Sequence, residues 1–255
     1  MLSSLKKIFL QNSTQNSITC YPEIRYDNGK KCILVVGMHR SGTSAMSAIL
    51  KIAGIYNKVT DNISPDNPKG FFEWHKGMDI NGKIFRLFKS EWDDEKPRPY
   101  NEKKCDRVAI FKKEIMQAID EDFNDQKLFA IKDPRISVLL PIYLEILNTM
   151  NIEPLLIMME RPDEEIYLSL KKRNNFSRKK SFALCKKYKE TVYKNISGIK
   201  HIIVNFDDLV TSPVKICREI FEKFDIPLLI DDKKGQEMLE FIDPGLKHHN
   251  IFDRG

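Results

Sequence analysis

Nothing in the 255-residue sequence approaches the roughly 20 consecutive apolar residues that cross a bilayer as a helix. The patch Ile8-Phe9-Leu10 follows Lys6 and Lys7, but Gln11, Asn12 and Ser13 end it too early for a signal-peptide core. Cysteine is equally uninformative as a framework: Cys20, Cys32, Cys105, Cys185 and Cys217 are odd in number and lack the short paired spacings of zinc or disulfide sites. A reducing cytoplasm is the compartment expected, and no metal is expected. His248 and His249 have no recognisable spacing to further ligands. Internal repeats and low-complexity tracts are absent, which excludes solenoids. Neither sign of charge dominates. With 42 Lys and Arg against 36 Asp and Glu, the net charge of +6 suits an anionic small molecule better than a nucleic-acid backbone.

What remains is a chain with 42% hydrophobic residues, enough for one substantial core. Residues 1–28 form a polar lead-in and 29–255 a single catalytic domain. Four short apolar runs, Cys32 to Val36, Leu128 to Ile131, Leu155 to Met159 and His201 to Phe206, read as buried parallel strands. Between and after them, Ser44 to Ala53, Val108 to Phe123, Ile136 to Met150, Pro162 to Arg173 and Ser212 to Phe224 carry apolar residues at helical spacing. Pro162 is expected at the first helical position, with Asp163, Glu164 and Glu165 on the positive end of the helix. The expected architecture is three-layer α/β, P-loop-like, with a mostly parallel central sheet. Cys217 falls on an apolar helix face and reads as core. The stretch 61–100, rich in proline and aromatics, reads as an irregular insertion on the acceptor side.

The segment Gly37-Met38-His39-Arg40-Ser41-Gly42-Thr43-Ser44 lies between a strand and a helix, where a loop presents backbone N–H groups to a phosphate. Its spacing is that of the triphosphate loop G-x-x-x-x-G-K-[ST], with Thr43 in place of the lysine. ATP chemistry uses that lysine on the β- and γ-phosphates, so the substitution argues against a P-loop kinase. Arg40, inside the loop, can serve a donor carrying one 5′-phosphosulfate. A second pair, Arg161 at a strand end and Ser169 eight residues later, offers a guanidinium fork and a hydroxyl to another phosphate.

These residues resemble the PAPS-dependent sulfotransferases, which use 3′-phosphoadenosine-5′-phosphosulfate (PAPS) as donor. Gly37 to Ser44 is similar to the family's 5′-phosphosulfate loop, and Arg161 with Ser169 to its 3′-phosphate element. Lys132-Asp133-Pro134 is similar to a segment of protein-tyrosine sulfotransferases. Asn67 to Glu73 and Val204 to Leu209 are similar to segments of bacterial members. The resemblance implies sulfuryl transfer to a hydroxyl, or less readily an amine, of a carbohydrate, glycolipid or small molecule, with adenosine 3′,5′-bisphosphate as product. It implies a donor site of His39, Arg40, Ser41, Gly42, Thr43, Ser44, Arg161 and Ser169, and Arg173, one turn beyond Ser169, extends that site. A noncatalytic nucleotide-binding protein with the same loop is the remaining alternative.

Sulfuryl transfer develops charge on the transferring group and on the leaving phosphate, which selects Arg40 and Lys132 as catalytic cations. An ion pair with Asp133 is the competing role for Lys132, and Arg135 is a further anion contact at the same strand end. An acceptor hydroxyl needs a base, and Glu73 and His75 both qualify, with Glu73 preferred. Phe71, Phe72, Trp74, Phe85, Phe88 and Trp92 are candidates for an acceptor wall or for core packing. The basic run from Lys171 to Lys189 reads as a solvated helix surface except at Arg173. The basic terminal arm Asp243 to His249 is placed near the nucleotide by the resemblance alone.

Overall fold

The structure is a computed structural model that describes residue 26 and residues 29–59, 69–95, 105–227 and 230–242. The rest of the lead-in, parts of the 61–100 stretch and the terminal arm from 243 lie outside the described residues.

Four strands, β1 (Lys31–Gly37), β2 (Leu128–Lys132), β3 (Glu153–Glu160) and β4 (Lys200–Asn205), form an all-parallel sheet in the order β2-β1-β3-β4. β1 pairs Ile33 with Ala130 on one side and with Leu155 on the other, so it is buried on both edges and both faces. That is why its sequence is a continuous apolar run rather than an alternating one. The strand pleat sends Cys32, Leu34 and Val36 into one core layer and Ile33 and Val35 into the other.

Among the described residues the helices are α1 (Thr43–Ala53), α2 (His75–Leu87), α3 (Cys105–Phe123), α4 (Ile136–Thr149), α5 (Asp163–Asn174), α6 (Arg178–Asn195), α7 (Phe206–Thr211), α8 (Pro213–Lys223) and α9 (Asp232–Phe241). Residues of α2, α3 and α4 fill one layer, with Val192 of α6. Residues of α1, α7, α8 and α9 fill the other. This is the three-layer α/β, P-loop-like arrangement expected from the sequence. No described helix is long and apolar enough to cross a membrane.

Two local expectations change. Pro162 is the N-cap of α5, with an extended ψ of 130°, and the helix begins at Asp163. The 61–100 stretch is not irregular throughout: α2 occupies thirteen of its residues, and Trp74 at its N-cap is 1% exposed. Trp74 stacks edge-on against Phe123 and donates Nε1–H to Asp122 at 2.8 Å, so the ring belongs to the core. Phe85 is buried in the same layer, which with Trp74 removes two aromatics from the acceptor wall, while half-buried Phe88 packs against that layer.

Cys32, Cys185 and Cys217 are buried free thiols, and burial pushes Cys185 and Cys217 up to about 12. Cys217 is core, as its helical position predicts.

Candidate functional site

In a parallel sheet of order β2-β1-β3-β4, chain connections diverge from β1 and β3, leaving a crevice at the carboxyl ends of those two strands. The loop after β1 and Arg161 after β3 lie at that crevice. The loop runs from Gly37 (φ +147°) to Gly42 (φ +99°), and Arg40 between them has a positive φ of 73°. A left-handed arginine is a strained conformation that its surroundings must hold.

The hold is visible. Ser137, in the first turn of α4, accepts from Gly37 N–H at 2.9 Å and donates to Gly37 O at 3.1 Å. A Cβ on Gly42 would sit 2.3 Å from the Phe206 ring, so only glycine lets that ring close against the loop. Arg161 stacks on the other part of Phe206 at 4.7 Å and donates to Arg40 O at 3.4 Å. Ser169 Oγ accepts from Arg40 Nε at 2.7 Å. Arg161 and Ser169, paired in the sequence by spacing alone, thus meet on Arg40.

Arg161 is 8% exposed and pairs with buried Glu165 at 2.7 Å, which removes its reading as a surface charge. Thr43 is buried. Ser41 is 1% exposed and its Oγ has no hydrogen-bond partner, as does buried Nε2 of His39. Buried polar atoms without partners are uncommon, and here two lie in the loop suited to an anion.

His39 packs on Trp92 at a centroid distance of 4.2 Å, and Tyr188 meets it edge-on. Burial, reinforced by the positive charges of Arg173, Lys132, Arg135 and Arg40, holds the imidazole well below its usual pKa. Four cations therefore bear on one loop residue. The unfolded chain takes up this proton near pH 6.5 and the folded chain does not, so stability from neutral His39 is present above that pH and lost below it. The ligand-free protein is expected to lose stability as pH falls from about 6.5, with His39 contributing a slope of up to about 1.4 kcal/mol per pH unit. Urea titrations between pH 5 and 7 should show a shallower dependence in His39→Gln; identical slopes would remove His39 as the source.

Lys132, 2% exposed at the end of β2, donates to Glu73 Oε1 at 2.9 Å, Phe71 O at 2.7 Å and Ser44 Oγ at 3.1 Å. Burial lowers its pKa and Glu73 opposes that shift. Its carboxylate partner is Glu73 and not Asp133, which instead binds Arg135 and Asn81. The segment preceding α2 turns through positive φ at Gly70 and Phe72. Trp74 N–H then bonds Lys132 O at 3.2 Å, bringing Glu73 beside the lysine. His75 behaves differently: its side chain is 55% exposed and its Nδ1 faces Asp79 at 3.6 Å, one turn along α2. The structure unites Glu73, Lys132 and Ser44 and leaves His75 on the surface.

Of the remaining aromatics, Phe72 meets Phe241 and Lys51, while Trp92 contacts His39, Phe176 and the Arg173 guanidinium. Much of the basic run is engaged in ion pairs, Arg178 with Glu164, Lys180 with Asp93 and Lys189 with Asp163, and Lys187 departs from the solvated-surface reading: it is buried and donates to Asp94 O at 2.7 Å. Sequence reasoning missed the set Asp133, Asn81 and Tyr143. Asn81 donates to Asp133 at 3.0 Å and accepts from Tyr143 at 3.0 Å, all three buried. Asparagine in a helix interior beside a distant tyrosine leaves no spacing signal.

No protein-family model and no curated protein matches the chain. Among solved structures it is similar to the sulfotransferase domain from the curacin biosynthetic pathway, at 10% identity over 80% of this chain and 76% of that one, with a TM-score of 0.46. It is also similar to the sulfotransferase domain from the Synechococcus PCC 7002 olefin synthase (14% identity, 93% and 87% covered, TM-score 0.46). A third such structure is sulfotransferase STF1 from Mycobacterium tuberculosis H37Rv (12% identity, 91% and 74% covered, TM-score 0.47).

Proposed function

We propose that this chain is a sulfotransferase that moves a sulfuryl group from PAPS to a hydroxyl acceptor, a carbohydrate, glycolipid or small molecule. The observation that carries the reading is the convergence on Arg40: the loop's own cation meets Ser169 and Arg161 from the end of β3, while buried Thr43 occupies the lysine position of a triphosphate loop. The sequence resemblance assigns those same residues to a nucleotide with phosphates at both its 5′ and 3′ ends.

In this reading the loop from His39 to Ser44 receives the 5′-phosphosulfate, and Ser41 Oγ gains the partner it lacks. Arg161, Ser169 and Arg173 receive the 3′-phosphate. The acceptor oxygen attacks sulfur; the new O–S bond forms as the bond from sulfur to the phosphate oxygen breaks. Glu73 takes the acceptor proton, Arg40 and Lys132 stabilise charge on the transferring and leaving oxygens, and adenosine 3′,5′-bisphosphate departs.

Adenosine 3′,5′-bisphosphate at about 100 times its dissociation constant is expected to stabilise the folded chain by roughly 2.7 kcal/mol, with ATP far less effective. Thermal unfolding with the bisphosphate, adenosine 5′-monophosphate and ATP makes the comparison. Equal stabilisation by the monophosphate would remove the 3′-phosphate site. Release of the bisphosphate from PAPS across an acceptor panel separates turnover from binding without catalysis.

A further inference from the structure

Arg135 is held with unusual thoroughness for a residue at a helix start. Its Nε lies 3.0 Å from both Asp133 oxygens and its Nη2 2.8 Å from one of them, while its backbone N–H donates to Asp133 Oδ1 at 2.9 Å. Asp133 is fixed in turn by Asn81, and Asn81 by Tyr143. Burying three polar side chains costs desolvation that their mutual bonds must offset, and the product is a guanidinium of fixed direction. One edge of that guanidinium faces Asp133, which leaves Nη1 to point elsewhere.

It points at Gly82, in the middle of α2. A Cβ there would meet Arg86 Nη1 at 3.4 Å and Arg135 Nη1 at 3.8 Å, and the third nearest atom is again from the Arg86 guanidinium. Two like charges therefore share the space that a side chain at position 82 would enter. Lys76 and Lys83 on the same helix pair with carboxylates, whereas Arg86 has no ion pair among the described residues. A glycine inside a helix costs about 1 kcal/mol relative to alanine. Two guanidinium groups bordering one space repel unless an anion lies between them. Arg135 stands three residues after Lys132, and its positive charge lowers the pKa of both Lys132 and His39.

We propose that Arg135 and Arg86, across Gly82, form a seat for an anionic oxygen group of the acceptor, so that the acceptor carries a carboxylate or sulfate near its reacting hydroxyl. This rests on the sulfotransferase reading for the word acceptor but not for the anion seat itself. Asp133, Asn81 and Tyr143 act as positioning residues for Arg135.

The test is calorimetric titration of sulfate, and in parallel acetate, into the full chain saturated with adenosine 3′,5′-bisphosphate, which occupies the donor loop. Wild type is expected to bind one of these anions, and the tighter of the two identifies the acceptor's group. Exposed Arg86→Gln should weaken that binding about tenfold or more while leaving bisphosphate affinity unchanged. Gly82→Ala should also weaken it, although it favours the helix, because its methyl fills the seat. Absence of anion binding to the wild type, or titrations alike in wild type and both variants, would overturn the proposal. If the bisphosphate does not bind, the nucleotide reading fails separately, and the same comparison on the nucleotide-free chain still decides the arginine seat.

Discussion

Glu73→Gln is expected to lower turnover by about 10² to 10⁴ while leaving PAPS binding nearly intact, the range that loss of a general base produces. The substitution keeps the side chain's size and its bond from Lys132 Nζ at 2.9 Å, so the segment before α2 stays in place. It removes the charge that opposes the burial-lowered pKa of Lys132, and the variant's rate should therefore fall with rising pH sooner than the wild type's. His75→Ala, at an exposed position facing Asp79, is expected to cost less than about tenfold. The reverse order of losses would give the proton to the histidine, and unchanged rates in both, with chemistry shown to be rate-limiting, would place the base elsewhere. The measurement is bisphosphate release from PAPS with an established acceptor.

Arg161→Ala should be strongly destabilising. Glu165 is buried against Arg161, and removing one partner of a buried ion pair leaves an uncompensated charge at a cost of about 3–5 kcal/mol. Urea unfolding should show this loss, and adding Glu165→Gln should recover a large part of it. The double variant then serves for binding. With Arg161 gone, affinity for adenosine 3′,5′-bisphosphate should drop about tenfold or more, and the 5′-monophosphate should lose clearly less, through the lost bond to Arg40 O alone. Ser169→Ala should produce a smaller loss of the same selectivity, since its hydroxyl meets Arg40 as well. Equal losses for both nucleotides in a folded variant would refute recognition of the 3′-phosphate by these residues.

The parallel sheet was readable because a strand buried on both faces must be apolar at nearly every position, as Ile33 to Val36 are. The loop was readable because glycine is obligatory where Phe206 and Met159 press on the backbone, and those glycines are fixed in spacing. The partner of Lys132 was not, because Glu73 is 59 residues away and reaches it only through the turn at Phe72 and the bond from Trp74 N–H. Composition left Trp74 and Phe85 open between an acceptor wall and the core, and the structure puts both in the core. An aromatic cluster beside candidate catalytic groups has the same sequence signature whether it lines a cleft or fills a core, and α2 turns these two inward. α6 was legible only as a basic helix surface, without its bounds or its buried side, since its lysines, paired across to residues 93 and 163, obscure the narrow apolar stripe of Leu184, Tyr188 and Val192.

The paired bonds between Ser137 and Gly37 set a gauge length in the molecule. The loop's first residue is pinned to the helix that follows Lys132 and Arg135, so the donor's cradle and the cations at the end of β2 move as one casting. Changes outside this frame can then accumulate without recalibrating the distance from Arg40 to Lys132. Exposed positions such as His75 and Arg86 on α2 can vary while the bonds from Lys132 to Phe71 and Glu73 and from Asn81 to Asp133 keep that frame's tolerance.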